Sequence, residues 1–228
     1  MIDFYFWPTS NNKKVTIMLA ETGLPYQLTF IDFTRGRQFQ PDFLALNPNA
    51  KVPVIVDQDG PGGKPLTVFE SGAILLYLAE KTGKFMPADA ARRWTVTQWV
   101  FFQMASIGPM FGQLAHFDDY AGERIQYALD RYHNEARRLY KVLDTRLAAS
   151  PFIGDAEYSV ADMAVWPWIQ PARQRMKMEE YPNLKRWYDV VGARPAVQAG
   201  VKVGTEVQKI GAISLDEEQR KSMFGRKF

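Results

Sequence analysis

The run Pro8-Thr9-Ser10-Asn11-Asn12 places hydroxyl and amide side chains just ahead of a helical pattern that starts near Lys13. A helix start carries N–H groups without intrahelical partners and the positive end of the dipole, so it suits an anion. Thr9, Ser10 and Asn11 can add side-chain donors to such a site. The simpler alternative is that Ser10, Asn11 or Asn12 only caps the helix, and the two roles can be divided among neighbours. Glu70-Ser71 stands at a second strand-to-helix junction. A ligand carboxylate would meet helix N–H groups and the Ser71 hydroxyl there, while Glu70 could accept from an ammonium. The alternative is again an N-cap, worth about 1 kcal/mol. The sequence contains no cysteine, which excludes a protein thiol nucleophile, a CxxC redox pair, thiolate metal ligation and disulfides. The two histidines, His116 and His133, belong to no nucleophile-elbow pattern and would need carboxylates to complete a zinc site. They read as polar surface or capping residues, and no metal is expected.

The elements that must position these residues change character along the chain. Residues 2–6 form a short apolar run ended by Pro8, which reads as a strand. Val15, Met18, Leu19 and Thr22 follow at helical spacing, stopped by Gly23 and Pro25. A second strand is expected over 26–33, then a looser stretch with a short helix. A β-branched run over 52–56 reads as a buried strand. The turn chemistry of Asp59-Gly60-Pro61-Gly62-Gly63 precedes a fourth strand over 66–69. A helix carrying Ala73, Leu76 and Tyr77 closes this part. From about residue 88 the strand signals stop. Helices are expected over 91–103, bent or ended by Gly108-Pro109, then along the face Tyr132, Ala136, Leu139, Tyr140, Leu143 and Leu147. Ser159-Val160-Ala161-Asp162 resembles a capping box before an apolar run with Trp166 and Trp168, and a last helix is expected over 181–191. An α/β domain over 1–82, a helical domain over 90–203 and a polar tail over 204–228 are the expected divisions.

The totals narrow the function classes. With 228 residues, 46% hydrophobic and 14% aromatic, the chain can bury a sizeable core and is not expected to be disordered. No apolar run reaches the roughly 18–20 residues that a bilayer demands, so no membrane partner is expected. The opening residues read as a strand and not a signal peptide, which makes a cytoplasmic location the expectation. Lys and Arg exceed Asp and Glu by 28 to 25, and pairs such as Arg92-Arg93 are scattered. Nucleic-acid binders concentrate such charge, so none is expected as a partner.

Four motifs in order make the resemblance specific: Thr9-Ser10-Asn11; Gly36-Arg37-Gln38-Phe39; Asn47-Pro48-Asn49-Ala50-Lys51-Val52-Pro53; and Phe69-Glu70-Ser71-Gly72-Ala73-Ile74-Leu75-Leu76-Tyr77-Leu78. Together they resemble the nu class of bacterial glutathione transferases, over nearly the whole chain except its tail. The resemblance implies a thioredoxin-like α/β N-terminal domain followed by an all-α C-terminal domain. It also implies glutathione as cofactor, as one or two molecules or a glutathione disulfide per site, and a homodimer.

Residue by residue, the resemblance implies that Thr9 and Asn11 hold the glutathione thiolate, with Ser10 as a further donor. Pro53 corresponds to the family's cis proline, which would leave Val52 to pair its backbone with the glutathione peptide as an added strand does. Lys51 belongs to the same segment. Gln38 resembles the residue at the glycyl end, and Glu70 and Ser71 resemble those that take the γ-glutamyl end. Arg131 resembles an arginine that reaches glutathione in the dimer, although an arginine beside Asp130 on a helix also reads as surface. Trp94, Trp99, Phe101 and Phe102 read as core or dimer contacts, with some available to an acceptor site. The implied activity is glutathione-dependent disulfide reduction on a small disulfide. Conjugation of an electrophile or reduction of a peroxide is the alternative, and a non-catalytic glutathione-binding module is a third reading.

Overall fold

The computed structural model describes residues 1–208. Residues 209–228, most of the tail read from residue 204 on, lie outside the described residues. By contact the described residues form two compact units, one made of Met1–Leu78 with Ala196–Gln208, the other of Ala79–Pro195.

In the first unit the order is β1 (Ile2–Phe6), α1 (Ser10–Thr22), β2 (Tyr26–Phe30), α2 (Pro41–Leu46), β3 (Val54–Asp57), β4 (Leu66–Phe69) and α3 (Ser71–Thr82). The sheet runs β2-β1-β3-β4, with β1 parallel to β2 and antiparallel to β3, and β3 antiparallel to β4. This is the expected thioredoxin-like order. Alternation along β1 gives it two working faces. Ile2, Phe4 and Phe6 are buried on one, while Tyr5 on the other packs with Phe43 of α2 and with Val52 and Val54. β2 stops at Phe30, short of residue 33, because the chain turns after Ile31: its N–H still reaches the Phe6 carbonyl, and Asp32 then accepts from Thr34 N–H to open a 3-10 turn. β3 starts at Val54 rather than 52, after a proline that has no N–H for the ladder.

The second unit is helical: α4 (Ala90–Phe102), α5 (Gly108–Ala115), α6 (Gln126–Ala149), α7 (Val160–Val165), α8 (Pro171–Gln174) and α9 (Pro182–Gly192). The bend expected at Gly108-Pro109 is made just before it, by a π-helical turn over Gln103–Ile107 that hands α4 to α5. α6 buries Ala136, Leu139, Tyr140, Leu143 and Leu147, the face read from its periodicity. Its Asp144 caps α9 by accepting from the N–H groups of Asn183 and Leu184 at 2.8 and 2.9 Å. Every residue of α7 is buried, and the capping box at its start is formed: Ser159 and Asp162 each serve the other's backbone. Asp162 also accepts from Ile153 N–H and the Trp187 indole, so one carboxylate ties α7 to its preceding loop and to α9. Trp94 and Phe101 are 67% and 62% exposed and are therefore not core of this unit.

A further helix, α10 (Pro195–Lys202), packs on α1 within the first unit, and a short α11 (Thr205–Gln208) follows it. Gly200 makes this possible. A Cβ there would lie 2.8 Å from both the Cα and the N of Ile17, so only glycine allows the two backbones so close.

Candidate functional site

The sheet topology gathers the predicted residues before any side chain is considered. β1 ends at Phe6 and β4 at Phe69, and β3 enters between them at Val54 in the opposite direction. β2, parallel to β1, ends beside it at Phe30. The residues after β1, β2 and β4, and those before β3, thus leave the sheet at one end. Thr9, Ser10 and Asn11 follow β1, Gln38 lies in the segment after β2, Lys51, Val52 and Pro53 precede β3, and Glu70 and Ser71 follow β4. Carboxyl ends of strands in open α/β sheets are where such folds take ligands.

At the end of β1 the helix begins three residues earlier than its pattern suggested, at Ser10, with Thr9 in the N-cap position. The Thr9 side chain makes no hydrogen bond to the helix backbone from that position. Instead the Asn12 amide donates to Thr9 Oγ1 at 2.9 Å. A hydroxyl oxygen that accepts in this way has its own proton to give to an anion. Asn12 is fully buried, and its Oδ1 has no hydrogen-bond partner among the described residues. Asn11 is half-buried in the first turn of α1. Tyr5 lies inside β1 against Phe43 at a ring separation of 6.0 Å and is structural.

The segment before β3 is fixed by Asn47. Its buried side chain donates to the Lys51 carbonyl at 2.7 Å and accepts from Asn49 N–H at 3.0 Å, while Ala50 takes a left-handed φ of 55°. The Val52–Pro53 peptide is cis, and Val52 lies outside the β3 ladder, its side chain buried beside Phe43 and Ile31. Lys51 is exposed. Gln38 sits in a 3-10 turn over Arg37–Phe39, 5% exposed, with no hydrogen-bond partner for Oε1 among the described residues. A buried amide oxygen left so costs about 1–3 kcal/mol, which a ligand donor would recover.

At the end of β4, Glu70 is exposed and held at a φ of 69°. A non-glycine residue there costs about 1–3 kcal/mol, and such strain gathers at functional sites. The turn lets the Glu70 carbonyl accept from Ile74 N–H and start α3. Ser71 is buried at the first position of that helix, and its Oγ accepts from the Lys14 ammonium at 3.1 Å. Lys14 comes from α1 and is fully buried. Burial holds its pKa well below the usual lysine range, and the nearby Glu70 charge pulls it back upward.

Arg131 belongs to the other compact unit, exposed on α6, with Nη1 3.7 Å from Glu135 Oε2. The neighbour Asp130 instead accepts from Gln126. His133 lies 3.2 Å from Asp118, which also pairs with Arg175.

Residues 1–80 match the family model described as glutathione S-transferase, N-terminal domain, and residues 126–190 that described as glutathione S-transferase, C-terminal domain. The chain is 48% identical to the disulfide-bond oxidoreductase YfcG of Escherichia coli, over 86% of this chain and 92% of that protein. The chain belongs to the glutathione S-transferase family. Among solved structures, a Burkholderia graminis glutathione transferase with two glutathione molecules bound per subunit is 46% identical, with a TM-score of 0.85, covering 89% of this chain and 88% of that one. A Pseudomonas putida glutathione transferase with one glutathione disulfide bound per subunit is 42% identical, with a TM-score of 0.84 and coverages of 89% and 91%.

Within this transferase, sequence reasoning missed two residues of α1. Asn12 was read only as a possible cap, and Lys14 was not singled out. The signal for Lys14 was available: it lies three and four residues before Ile17 and Met18, on the buried face of α1. A lysine on an apolar helix face needs a polar partner.

Proposed function

We propose that this chain is a glutathione-dependent disulfide-bond reductase of the nu type, with the glutathione thiolate held by Thr9 and Asn11. The observation that carries the reading is the Thr9 hydroxyl, backed by Asn12 at the start of α1, in a chain with no cysteine. With no protein thiol to form a mixed disulfide, exchange runs between glutathione and substrate. One glutathione thiolate attacks a substrate sulfur, forming a glutathione mixed disulfide and releasing a substrate thiolate. A second glutathione thiolate attacks the glutathione sulfur of that mixed disulfide, giving glutathione disulfide and the second substrate thiolate. Two protons from the two glutathiones end on the substrate thiols. Hydroxyl and amide donors favour thiolate over thiol, and binding supplies alignment. The name of the Escherichia coli relative and the two glutathiones, or one glutathione disulfide, bound by the neighbouring structures support this stoichiometry.

In this reading Gln38 takes the glycyl end, Lys51 and Val52, ahead of Pro53, the peptide backbone, and Glu70 and Ser71 the γ-glutamyl end. The enzyme works as a cytoplasmic homodimer. Trp94 and Phe101, seven residues apart on one face of α4 and largely exposed, suit a twofold contact, and Arg131 reaches glutathione in that dimer. In chain order, 1–82 and 90–203 are the two domains and 204–228 the tail, with α10 returning to the first unit. The test is glutathione-dependent reduction of a small model disulfide beside conjugation of an aryl halide, with wild type and Asn11→Ala. Strong reduction, weak conjugation and loss in the variant are expected. The reverse pattern would move the protein to the conjugating transferases, and glutathione binding without either turnover would make it a binding module.

A further inference from the structure

We propose that Lys14 is a positioning residue for the α-carboxylate of the glutathione γ-glutamyl group, acting through Ser71 from beneath the start of α3. The inference rests on the proposed glutathione site and adds to it a residue outside the recognised motifs. Three observations carry it. Lys14 is fully buried, and a buried ammonium is retained where a polar environment uses it. Its Nζ donates to Ser71 Oγ at 3.1 Å across 57 positions of sequence. Ser71 is itself the first residue of a 12-residue helix that follows the strained Glu70. A serine oxygen that accepts from an ammonium is polarised to donate its own proton. The helix N-terminus already favours a carboxylate, and Lys14, in its protonated form, places a positive charge behind the same hydroxyl. Glu70, whose charge acts on Lys14, carries the opposite sign. The subsite thus has one group suited to the ligand ammonium and one suited to its carboxylate. The depressed pKa of Lys14 fits this arrangement, since a bound carboxylate would favour the protonated lysine.

The test is a cycle of variant against ligand. Binding of glutathione and of an analogue lacking the γ-glutamyl α-carboxylate is measured by calorimetry for wild type, Lys14→Met and Ser71→Ala. Wild type is expected to prefer glutathione. Lys14→Met should keep its thermal stability, lose about tenfold or more in affinity for glutathione, and bind the analogue as wild type does. Ser71→Ala should lose the same preference, and the double variant no more than either single one. A Lys14→Met protein that keeps the wild-type preference, or that weakens equally for both ligands, overturns the proposal while leaving the glutathione site standing. Should Lys14→Met fail to fold, Lys14→Gln takes its place with the same expected loss of preference, and failure of both to fold would assign the lysine to the fold alone. A wild type that binds neither ligand would refute the proposed function itself, and this inference with it.

Discussion

Replacing Asp162 by alanine should destabilise the protein by about 3–4 kcal/mol. The carboxylate is fully buried. Oδ1 accepts from Ile153 N–H at 2.9 Å and the Trp187 indole at 2.7 Å, and Oδ2 from Ser159 N–H at 2.9 Å and its hydroxyl at 3.1 Å. The serine hydroxyl can rotate to another acceptor, but the two backbone donors and the indole cannot. Three buried donors left unsatisfied at about 1–3 kcal/mol each give a gross loss of roughly 3–9 kcal/mol. Removing a carboxylate that burial penalises offsets part of this, which places the net near the lower end. For a chain of this length that is a fall of roughly 10 °C in Tm. Urea denaturation at fixed protein concentration measures it, with the m-value unchanged. The pH dependence has a definite sign. Burial raises the Asp162 pKa above its ordinary value despite the four donors. Between the two values the native state binds the proton more than the unfolded state, so the stability contributed by Asp162 falls as pH rises through that window. Alanine has no such slope, so the deficit of the variant should narrow as pH rises from about 4. A deficit under about 1 kcal/mol, or one that widens with pH, would refute the account of this carboxylate.

Gly200→Ala should cost about 1–3 kcal/mol, because the new Cβ meets the Ile17 backbone at 2.8 Å and no flexible side chain can yield; unaltered denaturation would show that α10 does not sit so close to α1. Thr9→Val keeps the shape and removes the hydroxyl, so the pKa of bound glutathione, followed by thiolate absorbance, should rise, and kcat/KM at neutral pH should fall by about 10². An unchanged thiolate pKa would take Thr9 out of the site. Gln38→Leu removes a buried amide whose Oε1 lacks a partner among the described residues. Thermal stability should hold or rise while glutathione affinity drops about tenfold, the equivalent of one hydrogen bond of roughly 1.4 kcal/mol; lost stability with intact affinity would reverse the assignment.

Much of this was legible because local rules and packing agree. The short apolar run over 2–6, the stripe from Ala136 to Leu147 and the Ser159–Asp162 box each formed as its pattern implied. Element limits were less legible where tertiary bonds decide them. β2 stops at Phe30 because the chain turns at Asp32, and α1 reaches back to Ser10 because Thr9, not Asn12, stands at the cap. Asn12 shows why the site was only partly readable: three consecutive polar residues at a helix start look equivalent in sequence, and only the fold buries one and aims its amide at Thr9. The place of Lys14 on the buried face of α1 could be read, but its partner was hidden for a related reason. That partner, Ser71, is remote in sequence, and no periodicity in α1 can point to it.

One helix therefore sets both ends of the candidate site. From its first turn, Asn12 orients the Thr9 hydroxyl, proposed for the thiolate; two residues further on, Lys14 reaches the Ser71 hydroxyl, proposed for the carboxylate. Both contacts tolerate only a few tenths of an ångström before a hydrogen bond weakens. The position of α1 is in turn fixed at Ile17, three residues beyond Lys14, by the bare backbone of Gly200. The α10 helix, remote in sequence from every motif, thereby acts on the spacing of the two hydroxyls. A preorganised site needs support behind the groups that touch the ligand, and here that support is a helix–helix contact close enough to exclude a single methyl group.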